Sequence, residues 1–174
     1  MSRRGGRSSI AVTGAIAVAL VAGACGGPKA PEGVPGSKIA ALPATTLPSS
    51  ILDLSISSED FSGTASKAAN TYVKEAGLYS MRQGDLVQAT LEVLKFNGQA
   101  RLDDPKFRTE VIGQIGGATP QIAQLGSDRV YFVSGIKQKI SVWYRGRTLL
   151  VLSVRDDYER PRDLVRAALG LSFT

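Results

Sequence analysis

The sequence predicts an α+β domain, a mainly antiparallel sheet with about three packed helices, set behind an export signal and a Pro/Gly-rich linker. Three observations carry this. All eleven aromatic residues lie at or after Phe61, which places the packed core in the C-terminal part of the chain. Between Gly26 and Ser50 the composition shifts abruptly to Pro28, Pro31, Pro35, Pro43 and Pro48 among Gly, Ala, Ser and Thr, a stretch not expected to fold alone. Behind it, periodic segments run in the order strand, helix, hairpin, helix, four strands, helix, the pattern of helices laid on an antiparallel sheet. The expected units are residues 1–24 as the signal, 25–50 as the linker and 51–174 as one domain.

The elements follow from local signals. Ile51 to Ile56 reads as a short strand. Ser57 and Ser58 can cap a helix whose apolar positions Phe61, Ala65, Ala68, Tyr72 and Ala76 recur at helical spacing, with Gly77 as its terminator. Gly84-Asp85 is a two-residue turn signal between Tyr79 to Gln83 and Leu86 to Phe96, which makes a hairpin; a helix from Asp85 is the alternative, because Leu, Gln, Ala, Glu and Lys are good helix formers. Asp103-Asp104-Pro105 starts a helix carrying Phe107, Val111, Ile112 and Ile115 on one face, stopped by Gly116 and Gly117. Strands are expected at Gln121 to Leu125, Arg129 to Ser134, Ile136 to Tyr144 and Arg147 to Val154. Pro161 opens a last helix with Leu164, Val165, Ala168 and Leu169 inward, ended by Gly170. This element order is loosely similar to the small PsbP/Mog1-like sandwiches used by some envelope lipoproteins, by analogy of architecture alone.

Composition excludes much chemistry. There is no histidine, and Cys25 is the only cysteine, so zinc sites of Cys/His type, histidine-bound haem, intrachain disulfides and Ser-His or Cys-His catalysis are all ruled out. Thr64-Ala65-Ser66-Lys67 has Thr where a Ser-x-x-Lys motif needs its nucleophile. Gly113 to Gly117 lacks the order of a phosphate loop and ends a helix instead of opening one. The acidic pairs Glu59-Asp60 and Asp103-Asp104 suit helix starts, and Asp156-Asp157 suits a strand-to-helix loop. A non-enzymatic protein without cofactor or metal is expected, with a carboxylate-dependent hydrolase as the enzyme alternative.

The first 25 residues specify an address. Arg3, Arg4 and Arg7 precede an uncharged apolar run from Ile10 to Ala24, the form of an export signal. That run is about 15 residues, short of the roughly 20 a spanning helix needs. It ends in Val21-Ala22-Gly23-Ala24 directly before Cys25, and small residues before an isolated cysteine resemble the lipobox of bacterial lipoproteins. Ala22 stands where most lipoboxes carry Leu or Val. The resemblance covers residues 1–27 and implies a diacylglyceryl thioether on Cys25, cleavage just before it, and residence on a cell membrane facing away from the cytoplasm. Two or three acyl chains anchor stably where one does not. The linker would reach between about 27 Å and about 75 Å. Gly5, Gly6 and Arg7 follow Arg3-Arg4 where a twin-arginine signal carries a hydrophobic pair, which favours the general secretory route.

Two further features bear on a partner. Residues 129 to 174 carry nine basic side chains against four acidic ones. A face presenting Lys137, Lys139, Arg145 and Arg147 would attract an anionic lipid, a glycan phosphate or an acidic envelope protein, or it is a solvated sheet face guarded against aggregation. Nucleic acid is not expected, since no recognition motif accompanies the charge. Val130 to Val133 and Leu149 to Leu152 do not alternate, so both faces of that sheet must be covered. Helices supply that cover, or an apolar cavity holds a hydrophobic anionic ligand, with Trp143 and Tyr144 beside Arg145 and Arg147 at its mouth; Trp143 as plain core packing is the simpler alternative.

Overall fold

A computed structural model describes residues 39–42, 47–59, 72–116 and 119–172. The signal, Cys25, the linker to residue 38, and Phe61, Ala65 and Ala68 of the expected first helix lie outside the described residues. The strands are β1 (Ala40–Ala41), β2 (Ser50–Ile51), β3 (Leu54–Glu59), β4 (Val73–Gln83), β5 (Leu86–Phe96), β6 (Gln121–Leu125), β7 (Asp128–Gly135), β8 (Gln138–Arg145) and β9 (Thr148–Arg155). Two helices are described, α1 (Pro105–Gly116) and α2 (Pro161–Leu169). All nine strands form one sheet in the order β2-β3-β4-β5-β9-β8-β7-β6. Pairing is antiparallel except for β1, which runs parallel to β4 beyond the end of β3. The mainly antiparallel α+β architecture is therefore present.

The hairpin reading of residues 79 to 96 holds, with Gly84 at φ 58°, a left-handed conformation that favours glycine. The Ile51 to Ile56 segment is a tight β2–β3 hairpin turning at Leu52 and Asp53. The expected first helix is corrected at its C-terminal end. Ala76 and Gly77 lie inside β4, paired with Leu94 and Val93 of β5. Helical spacing was satisfied locally, yet β-pairing on both sides decides the conformation. Gly77 is required by space: a Cβ there would meet the Tyr79 hydroxyl at 2.9 Å and Leu42 Cβ at 3.1 Å. Residues assigned to the linker thus take part in the fold, since Leu42 is buried and Ala40 and Ala41 pair with β4. Glu59 ends β3, so the expected capping role of the Glu59-Asp60 pair is not the one Glu59 has.

The second and third expected helices start where the sequence places them, whereas Ser57 and Ser58, the expected caps of the first, lie inside β3 paired with Ser80 and Tyr79. The Asp104 carboxylate accepts from the Lys106 N–H at 2.9 Å, satisfying one free donor of the first turn of α1. Pro161 stands in the first turn of α2, and Leu164, Val165 and Ala168 are buried. Ile136 is corrected: it is 93% exposed at the tip of the β7–β8 turn, whose second residue Lys137 has φ 58°.

The sheet is covered on both faces, as the unbroken apolar runs demanded. In β9 every residue from Thr148 to Val154 is buried. Strand alternation sends Tyr79, Met81, Leu91, Val93, Trp143, Leu150 and Leu152 to a first face, where they pack with Leu164, Val165 and Ala168 of α2. It sends Ala76, Leu94, Phe96, Tyr131, Val142, Leu149 and Val151 to a second face, under Val111, Ile112 and Ile115 of α1.

Candidate functional site

The residues expected to form one basic or aromatic face are separated. Trp143 is fully buried on the first face, paired across strands with Val130 and Leu150. Tyr144, one residue on, faces the other way with Leu149, and the Arg108 guanidinium lies 5.3 Å above its ring. Burial pushes the Tyr144 hydroxyl well above the usual tyrosine range. The two aromatics therefore share no pocket mouth.

Arg145 is a tie within the fold. Its guanidinium donates to Asp128 at 3.0 Å and to the carbonyl oxygens of Leu169 and Leu171, at the C-terminal end of α2. A cation there satisfies carbonyls the helix leaves free and meets the negative end of its dipole. Arg147 donates to the carbonyls of Asn97 and Ala100, pinning the loop between β5 and α1. Lys139 is exposed on β8, and Lys137 sits in the β7–β8 turn, at the end of the sheet opposite the Arg147 turn.

The second face carries a polar band that sequence reasoning did not single out. Register places Ser57, Ser80, Thr90 and Ser153 in one row across β3, β4, β5 and β9. The row spans about 14 Å at ordinary strand spacing. The neighbouring row reads Glu59, Leu78, Glu92, Val151 and Val142. Ser80 and Ser153 are buried. At one end the polar groups satisfy each other: the Ser80 hydroxyl donates to Glu59 and shares a 2.8 Å bond with Ser57, while Arg82 donates to Ser80 at 3.2 Å and pairs with Glu59 at 3.5 Å.

Glu92, on a central strand, differs. It is half-buried between Leu78 and Val151, and no cation or donor pairs with it among the described residues. Burial alone raises its carboxyl to about 7, because the charged form has lost water without gaining a partner. Such a group in a polar row is a functional-site signal, able to bind a donor-rich group or exchange a proton near neutrality. One sequence cue was present: a lone carboxylate inside the apolar run Leu91-Glu92-Val93-Leu94. The hydroxyl row had none, since its members come from four distant segments. Among the described residues there is no cluster of metal-ligating side chains, and no helix is long and apolar enough to cross a membrane.

No protein-family model matches the sequence, and no curated protein matches it. Among solved structures, the chain is similar to a GTP-binding regulator from Thermotoga maritima at a TM-score of 0.42 and 14% identity, covering 66% of this chain and 75% of that one. That likeness is too weak to carry an argument.

Proposed function

We propose that this chain is a lipid-anchored protein of the cell envelope whose folded part has a non-enzymatic binding role. One observation carries the reading: basic residues, an uncharged apolar run, small residues and the only cysteine occur in that order within 25 residues, followed by a proline-rich tether. Lipidation of Cys25 then gives the cysteine a purpose, whereas a bare exposed thiol would have none. Replacing Cys25 tests this. Cys25→Ser is expected to move the protein from the membrane fraction to the soluble envelope fraction, and unchanged membrane association would refute the anchor.

The binding role has two forms. An adaptor for an envelope protein needs only an exposed surface. A carrier of a small molecule with an apolar body is favoured by one specific feature, Glu92, which has no cation or donor partner among the described residues and stands in register with Leu78 and Val151, near Thr90 and Ser153. A carboxylate at that place repels an anionic head, so the anionic cargo expected from the basic residues is the less suitable one.

A further inference from the structure

We propose that the end of the sheet formed by the β2–β3, β4–β5 and β7–β8 turns docks on a lipid bilayer of zwitterionic headgroups, with Leu52, Leu86 and Ile136 entering the interface. The proposal rests on the anchor reading and deepens it: the bilayer is the one that carries Cys25, and the anchored domain stands on it turn end down.

Register brings the three turns together. Ser55 opposite Arg82 and Gln83 opposite Leu86 set Leu52 and Asp53 beside the β4–β5 turn, and Gln138 opposite Arg155 sets the β7–β8 turn beside the end of β9. The turns spread over about 24 Å at ordinary strand spacing. Four large aliphatic side chains stand exposed among the described residues, and three of them, Leu52 at 42%, Leu86 at 47% and Ile136 at 93%, are at this end. Exposed aliphatics scattered singly are ordinary; three gathered at one end mark a contact surface. The backbone adds a second observation. The turns at Gly84, Gly126 and Gly146 put glycine in the left-handed conformation, whereas the hairpins bearing Leu52 and Ile136 put Leu52 itself (φ 52°) and Lys137 (φ 58°) there. Leucine and lysine hold that conformation at a cost that glycine or asparagine avoids, so the fold keeps its aliphatic tips at the expense of stability. Both tips are also fastened. Asp53 accepts from the Tyr158 hydroxyl and the Gln83 amide, each at 3.0 Å, and the Asp156 N–H donates to the Lys137 carbonyl at 3.2 Å.

Charge and reach select the occupant. Lys137, Lys139 and Arg155 stand near Asp85, Asp156 and Asp157, a mixed-sign end that suits headgroups carrying both charges. A fluid bilayer admits each aliphatic side chain separately, whereas a protein would need three matched apolar pockets across the same span. Ala40 pairs with Glu75 near the start of β4, so the tether enters about 30 Å from the turn end. Residues 26–38 reach about 40 Å in the extended form that Pro28, Pro31 and Pro35 favour, enough for Cys25 and the tips to share one bilayer.

The test places the anchored full chain in nanodiscs of phosphatidylcholine with brominated acyl chains, which quench tryptophan at the interface. Trp143, sealed in the first face, is a background common to every variant. Ile136→Trp should be quenched, and Ser127→Trp, exposed in the β6–β7 turn at the opposite end, should not. Equal quenching at both ends, or none in Ile136→Trp, overturns the proposal; the latter result leaves the tips to a protein partner. A second measurement removes the anchor. The Cys25→Ser protein from the soluble envelope fraction should co-sediment with phosphatidylcholine vesicles, with no weakening as salt rises from about 0.1 M to about 1 M. Adding Leu52→Asn and Ile136→Ser should weaken that binding about tenfold without lowering the unfolding midpoint, because the first relieves a left-handed leucine and the second alters an exposed tip. Undetectable binding, or binding unchanged by the two substitutions, overturns the docking surface and leaves the anchor, which is read from the fractionation of Cys25→Ser, standing.

Discussion

The first face of the sheet seals Trp143, Leu150 and Leu152 completely beneath α2, whereas the second face is apolar where α1 lies on it and turns to hydroxyls and carboxyls over β3, β4, β5 and β9. The same strands build both. On the first face the large buried side chains, Trp143, Leu150 and Leu152 among them, contribute packing and apolar area, with the small polar Ser141 buried beside them. On the second, Ser80 and Ser153 are buried as deeply as leucines, and Glu92 has no partner among the described residues, an arrangement that costs free energy. Burial alone does not distinguish core from site; the chemistry of what is buried does.

Substitutions at three residues sharpen this contrast, beginning with the largest effect. Trp143→Ala on the first face should destabilise the protein by about 3–5 kcal/mol, equally at pH 5 and pH 8, as measured by denaturant unfolding. A loss below about 1 kcal/mol would show that the first face is not the packed core.

Glu92 should behave in the opposite way. Its folded-state value of about 7 lies above the ordinary 4.5, so the folded protein holds the proton more tightly than the unfolded chain does. Stability is therefore greatest below about pH 4.5 as far as this group is concerned, and falls by roughly 3 kcal/mol as pH rises through about 7. Glu92→Gln should flatten that slope and leave the variant more stable than the parent at pH 8. An identical pH slope in parent and variant would place the titration elsewhere.

Arg145→Ala should cost about 2 kcal/mol, because Asp128 and the carbonyls ending α2 lose a charged donor. Arg145→Lys should recover only part of that loss, since one ammonium cannot match a planar fork. Amide hydrogen exchange should quicken first at the end of α2.

These contrasts also mark what could be read from the sequence. The turn at Gly84-Asp85, the start of α1 at Asp104-Pro105 and the start of α2 at Pro161 were legible because each is fixed by chemistry within a few residues. The double coverage of the sheet was legible in the unbroken run of β9. β4 was not, because Tyr72 and Ala76 satisfy helical spacing while its conformation is decided by partners such as Leu94 in β5 and Ala41 in β1. The basic face was misjudged for a related reason: Arg145 and Arg147 bind carbonyls that only the folded chain brings to them. The polar band depends on registers joining residues 57, 80, 90 and 153, which no local pattern reveals.

Both faces serve the proposed role only if the domain is held at the envelope by its tether. The most direct measurement is the intact mass of the protein purified from its native membrane. The account predicts a chain beginning at Cys25 and heavier than its polypeptide by a diacylglyceryl group, with or without an added acyl chain. A mass equal to the unmodified polypeptide, or a chain still starting at Met1, would contradict it.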